Sequence, residues 1–429
     1  MRPVLLFACW SLTLTALFAA AAPLQLGSHP ARYAADGSLL PWTSWTDALA
    51  REMAWYEKCP SDHGYPRFIT ETFMDGDYAP IASRADIIPA TQNGLGIISY
   101  LKYYQFTGRT HAEYLRTARL MADYVLREAS TPAAGKYPRF PRSTGRRGAF
   151  PQPADCGTQD DRPHEIQPDK GGIVGFALLQ LYGETKDATY LEAARHIARV
   201  LVANLGPGDA GHSPWPFRAD FRTGEARGAI SGNMTYILRL FDQLLARGET
   251  EFAAPRAALW QWIVRHQLPS AAGDGRLWVE FFEDHHNQGN RTAWAPLALA
   301  RYLIEQRGQL SPDWQAQAKS LIEFVNRTFV REHWGVLACG EQDEDLDPWG
   351  GINSTYGAVL AQYSAATGSP EYRHRAEQAL TLCLYAIDAD GAPRDSLLNT
   401  GRGGWQEDAH TDKVHNLVDA LTAFPEWGK

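Results

Sequence analysis

The chain has 429 residues, 45% hydrophobic and 21% charged, a balance that excludes disordered, collagen-like and low-complexity classes. A formal charge of −8 argues against nucleic acid as a partner. Its 14 Trp, 18 Tyr and 17 Phe offer aromatic surface that, besides filling a core, stacks on sugar rings in exported proteins.

The first 22 residues read as a signal peptide: Arg2, an apolar run over 4–17, then the small residues Ala19 to Ala22. Cleavage near Ala21 or Ala22 would leave 23–429 as a single exported domain, secreted or periplasmic. No later run reaches the roughly 18 apolar residues of a membrane span. Export would permit Cys59, Cys156, Cys339 and Cys383 to pair, although Cys383 lies in an apolar helical run and reads as a buried thiol. The absence of C-x-x-C speaks against a zinc or redox centre, and no metal or cofactor is expected.

After a helical segment at 42–58, the sequence repeats one plan: an apolar helix, a short turn, then an amphipathic helix. The copies are 95–126 (turn Thr107-Gly108), 173–205 (Glu184-Thr185-Lys186), 236–266 (Arg247-Gly248), 296–329 (Arg307-Gly308) and 356–387 (Thr367-Gly368). Apolar residues recur at i, i+3, i+4 and i+7. Asn93, Asp169, Asn233, Asn290, Asn353 and Asp412 stand before six equivalent apolar helices, where such residues serve as N-caps. With 42–58 as outer partner of the last helix, twelve helices close into an all-α (α/α)6 toroid. Loops within hairpins are short. Those between hairpins (130–168, 206–232, 269–289, 331–351, 388–409) are long, and all enter the inner helices at one end, where function concentrates.

In its repeat plan, across the whole mature chain, the sequence resembles the (α/α)-toroid carbohydrate-active enzymes: six-hairpin glycoside hydrolases and helical-barrel polysaccharide lyases. The resemblance implies a carbohydrate cleft where the long loops meet the inner helices. It carries no motif from which residue roles could be transferred.

Residues at that end supply the candidates. The stretch 278–294, WVEFFEDHHNQGNRTAW, brings Glu283, Asp284, His285, His286, Asn287, Asn290, Arg291 and Trp294 to the fourth inner helix. His410, Asp412, Lys413 and His415 bracket the sixth, and His164, Glu165, Asp169 and Lys170 the second. Tyr236 and Tyr356 each stand three residues after an Asn, Asn233 and Asn353. The acidic loop 339–351 fails the EF-hand pattern, with Pro348 and Ser354 where Gly and Glu are needed. Residues 136–147 form a basic loop with Lys136, Arg139, Arg142, Arg146 and Arg147, and Trp215 with Arg218 repeats the aromatic-plus-Arg theme.

Two chemistries compete. A uronate lyase neutralises the sugar carboxylate, removes the adjacent proton and protonates the leaving oxygen, work suited to Arg, Asn, His and Tyr. A hydrolase needs two carboxylates. The Arg, His, Asn and Tyr at the helix starts favour the lyase, with Tyr236, His286, Arg291, Asn290 and Asn233 catalytic. Lys170, Trp215, Arg218, Arg139, Trp294, Tyr356, His410 and Lys413 would then bind an anionic poly- or oligosaccharide. A glycoside hydrolase and a non-catalytic glycan-binding protein are the alternatives.

Overall fold

The computed structural model describes residues 24–58, 61–62, 65–66, 71–74, 80–84, 88–144, 161–282, 289–394, 397, 405–407 and 410–429. Helix α1 spans Trp45–Tyr56, α2 Pro89–Phe106, α3 Ala112–Arg127, α4 Pro168–Thr185, α5 Ala188–Ala203, α6 Thr235–Leu245 and α7 Ala253–Trp262. A π turn, Ile263–Gln267, carries α7 into the short α8, Leu268–Ala272. Then follow α9 Trp294–Gln306, α10 Trp314–Thr328, α11 Gly350–Thr367, α12 Pro370–Leu384 and α13 His410–Ala423.

Packing sorts these into two rings. α2, α4, α6, α9, α11 and α13 touch in that order, and α13 returns to α2. α3, α5, α7, α10 and α12 each back their hairpin partner, and α1 lies against α12 and α13, closing the outer ring as the 42–58 segment predicts. The sequences explain the division. In α2 nearly every residue from Pro89 to Leu101 is buried, and in α11 every residue from Gly350 to Ala361. A helix apolar on all sides must be covered on all sides. In α3 only one stripe is buried, including Tyr114, Thr117, Ala118, Met121 and Val125. Close convergence of the inner ring requires small residues. A Cβ on Gly172 of α4 would come within 2.8 Å of the Ile237 backbone nitrogen in α6.

The long loops fold into small sheets. Arg218–Asp220 pairs with Glu165–Ile166 and Ala226–Arg227, and Val330–His333 pairs with Val336–Cys339. Trp405–Glu407 pairs with Glu71–Met74, so the last loop meets the first.

Two expectations need correction. The Asn/Asp set does lie at the N-terminal ends of the inner helices, but not as caps: α2, α4, α6, α9 and α11 have no side-chain cap bond. Asn93 and Asn353 sit one turn inside, where each Nδ2 returns to the carbonyl four residues back at 2.8 Å. Asn353 also grips both backbone polar groups of Cys339 (2.7 and 2.8 Å), pinning the preceding strand to the helix. Second, Cys339 is a free buried thiol, so disulfide pairing does not extend to it; Cys383 is free and buried as its helical run predicts. Cys59 and Cys156 lie outside the described residues. No helix among the described residues is long and apolar enough to cross a membrane.

Candidate active site

A cavity on the toroid axis receives side chains from all six inner helices: Leu95 from α2, Ile173 from α4, Tyr236 and Arg239 from α6, Trp294, Ala298 and Arg301 from α9, Thr355 from α11 and His415 from α13. Asn233 and Phe281 complete the wall. The cavity itself is narrow, about 50 Å³, and widens into open solvent at its mouth. Every helix contributes at least one residue from its N-terminal half, so the six N-termini open on one end.

One wall is apolar. The Phe281 and Trp294 rings lie within 6° of parallel with centroids 6.0 Å apart, aromatic surface of the kind a sugar's C–H edges stack on. Lys170, fully buried, braces this wall: its Nζ donates to the Phe281 carbonyl at 2.7 Å and sits 3.7 Å from that ring's centroid. The opposite side is polar. His415, 4% exposed, is oriented by a 3.0 Å hydrogen bond between its Nδ1 and Ser99 Oγ of α2. Arg239 pairs with Glu305 at 2.6 Å. Arg301 gives Nη2 to Asn416 Oδ1 and holds Nη1 3.6 Å from Asp419 Oδ2, while Asp419 Oδ1 pairs with Lys102.

Three lining residues carry buried polar atoms without a partner: Arg301 Nε, Trp294 Nε1 and Asn233 Oδ1. Buried polar groups are nearly always bonded, so each of these three has bonding capacity left to satisfy. No Asp or Glu occurs among the described lining residues, and among all described residues no group of three His, Cys, Asp or Glu could hold a metal.

Of the residues that the sequence singles out, Tyr236, Asn233, Trp294 and His415 line the cavity. The Asn233 amide also meets Asp169 Oδ2 at 3.3 Å. Others are corrected. Arg291 does not face the cavity, because its fork clasps the Asp343 carboxylate (2.8 and 2.9 Å) and the Asp274 carbonyl. Asn290 is buried against Gln342. Trp215 is a core residue whose indole donates to the Leu201 carbonyl at 3.0 Å. Arg218 is buried in an ion pair with Asp161. Tyr356 is fully buried and turned outward to Asn326 of α10 (2.7 Å). Lys413 also points outward, to the Arg394 carbonyl (2.7 Å) and Glu52 of α1 (3.9 Å).

Arg139 is exposed in a packed loop tied by its amide to the Pro132 carbonyl. That loop is no free cationic strand: Tyr137 and Phe140 are buried, and Arg142 is spent on the Thr144 and Pro163 carbonyls. His286 lies outside the described residues, as do Glu283, Asp284, His285, Asn287, Arg146 and Arg147. His410 begins α13, with its side chain outside them.

The sequence reading passed over Arg239, Arg301 and Thr355. A signal was present for the arginines: each interrupts an otherwise apolar helix, TYILRLF and WAPLALARYLI. A cation there must have a buried partner or a ligand.

No family model matches the chain, and no curated protein does. Solved structures do. A D-mannose isomerase shares the fold with a TM-score of 0.64 at 14% identity, over 92% of this chain and 100% of that one. A family 76 glycoside hydrolase from a bovine Bacteroides thetaiotaomicron strain gives 0.58 at 13%, over 90% and 78%. A polysaccharide lyase gives 0.52 at 16%, over 89% of this chain and 53% of its own. The fold is thus the (α/α)6 toroid, and the proteins it is similar to are carbohydrate-active enzymes of that architecture. They include isomerase, hydrolase and lyase, so the reaction has to be argued from the site.

Proposed function

We propose that the protein is a carbohydrate-processing enzyme that moves a proton at a sugar carbon, and that its reaction is β-elimination at a uronate residue of an acidic polysaccharide. The observation that carries this reading is the lining of the axial cavity: a histidine, a tyrosine and two arginines, with no carboxylate among the described residues. Glycoside hydrolysis in its usual form needs a carboxylate pair flanking the bond. Elimination needs a base for the C5 proton and an acid for the leaving oxygen. His415 and Tyr236 supply those two groups. The C5–H electron pair becomes the C4–C5 double bond, the C4–O bond breaks, and the departing oxygen takes a proton. The arginines offset charge gathering on the uronate carboxylate. None of this calls for a cofactor. The signal-like residues 1–22 would deliver the enzyme outside the cytoplasm, where such polymers are met.

Aldose–ketose isomerisation is a second reading. It uses the same proton chemistry, and the whole-length likeness to a D-mannose isomerase favours it. A purely glycan-binding role is disfavoured, because both Tyr236 and His415 border the cavity. The test is a screen on alginate, glucuronan, pectin, glycosaminoglycans and neutral glycans. New ultraviolet absorbance from an unsaturated product is expected on a uronate polymer. Ketose formation from D-mannose with deuterium uptake from heavy water would select isomerisation. Reducing ends released without either signal would overturn proton transfer at carbon.

A further inference from the structure

The cavity floor shows how a substrate would be held. Arg301 is 8% exposed, lines the cavity and has an Nε without a partner. Its geometry is fixed from behind. Asn416, fully buried, accepts from Arg301 Nη2 through Oδ1 and donates through Nδ2 to Ser354 Oγ (3.0 Å) and Thr355 Oγ1 (2.9 Å). One side chain thus ties an arginine of α9 to two hydroxyls of α11. Ser354 passes its own proton to the Gly351 carbonyl at 2.6 Å. Thr355, which borders the cavity, accepts from Asn416 and so keeps its O–H to give. Arg301 and Thr355 therefore both border the cavity and are tied to a common buried partner, Asn416.

The charge balance points the same way. At and beneath the floor are three fixed cations, Arg239, Arg301 and Lys102, and two carboxylates, Glu305 and Asp419. Glu305 follows Arg301, and Asp419 follows His415, by one helical turn, so both carboxylates lie below the cavity. Among these five groups one positive charge is in excess, which an anionic group of a ligand would offset.

We propose that Arg301 and Thr355 form a carboxylate subsite at the floor of the axial cavity, positioned by Asn416, and that it selects a uronic acid residue entering end-on with its ring along Phe281 and Trp294. This rests on the reading that the cavity is the site of sugar chemistry. It adds which atoms recognise the acid group: not Arg291 at the rim, as the sequence suggests, but Arg301 on the axis. A monoanion matches a single surplus charge, and the apolar wall matches a sugar ring rather than an inorganic ion.

The test is calorimetric titration of the full-length protein with D-glucuronate, D-galacturonate, D-glucose and inorganic phosphate. The acidic sugars should bind wild type at least about tenfold more tightly than glucose. Arg301→Met should abolish that preference, and Arg301→Lys should restore part of it. Thr355→Val, which keeps the side-chain shape, should weaken uronate binding several-fold and leave glucose unchanged. Equal binding of acidic and neutral sugars by wild type, tighter binding of phosphate, or an acid preference that survives in both Arg301→Met and Thr355→Val would overturn the subsite. The two readings fail separately. Sugar turnover that needs His415 and ignores Arg301 removes the subsite and keeps the chemistry. Uronate binding that needs Arg301, in a protein unaffected by His415→Gln in every assay, keeps the subsite and removes the chemistry.

Discussion

The third and fifth inner helices begin with nearly the same words, Asn233-Met-Thr-Tyr236 and Asn353-Ser-Thr-Tyr356, yet they aim their tyrosines in opposite directions. Tyr236 lines the cavity, whereas Tyr356 is fully buried against Asn326 of the outer helix α10. The cause is helical phase. α6 starts two residues after its Asn, and α11 starts three residues before its own. Each residue turns the side chain by about 100° around the axis, so equal spacing from the Asn gives unequal directions. The same contrast recurs within α13, where Lys413 faces α1 and His415, two positions on, faces the axis. Direction relative to the axis, rather than residue type, separates the groups used for packing from those left open to a ligand.

Paired substitutions test that division. The largest effect belongs to α13. His415→Gln should lower kcat by about 10²–10⁴-fold with the fold intact, as loss of a general acid–base does. Lys413→Met should leave the kcat of folded protein unchanged and lower the Tm, because Glu52 is then buried without its cation. Next come the tyrosines. Tyr236→Phe should reduce kcat by roughly 10²-fold with the fold intact. Tyr356→Phe should cost about 1 kcal/mol of stability through the lost bond to Asn326 and leave kcat alone. Similar kcat values for these two variants would erase the distinction between α6 and α11.

The arginines give a smaller contrast. Arg301→Gln should reduce kcat/KM on an acidic substrate by about 10–100-fold, the loss expected for a hydrogen bond to a charged group. Arg291→Gln should change it less than about twofold, since that fork is already committed to Asp343 at a partly exposed site. If Arg291→Gln proved the more damaging, the acid group would be read at the rim.

Much of the fold was legible in the sequence because repetition is a long-range signal: five hairpins, a closing outer helix and one loop-bearing end follow from apolar periodicity alone. The site was legible in part. Tyr236, Asn233, Trp294 and His415 stand near the starts of inner helices and border the cavity. Arg291, Lys413 and Tyr356 were misplaced because a polar residue near a helix start can face in or out, and the phase depends on where the first turn forms, the least predictable feature of a helix. Arg301 was missed because it sits two turns inside α9, away from the loops.

The smallest effect lies on the outward side and concerns stability alone. Glu52 of α1 has no exposed surface, and neither carboxylate oxygen has a hydrogen-bond partner. Burial pushes its carboxyl up to about 7, against the opposing pull of Lys413. The unfolded chain would release that proton near the ordinary value of about 4.5, so between those limits the folded state holds more protons than the unfolded one. The Glu52 contribution is therefore complete below about pH 4.5 and is lost as pH rises toward 7, by an amount of order 1–3 kcal/mol. Glu280 behaves alike, its carboxyl also raised to about 7 by burial, with Arg218 pulling it down. Denaturant titrations across this range should show stability declining with pH in wild type, a shallower decline in Glu52→Gln, and a shallower one still in Glu52→Gln/Glu280→Gln, where Asp169, whose carboxyl burial also raises, carries part of the remainder. Turnover by folded Glu52→Gln should match wild type at every pH, because this carboxyl faces Lys413 on the side of α13 turned away from His415. A shifted pH–rate profile in that variant would show that the two sides of the helix are coupled.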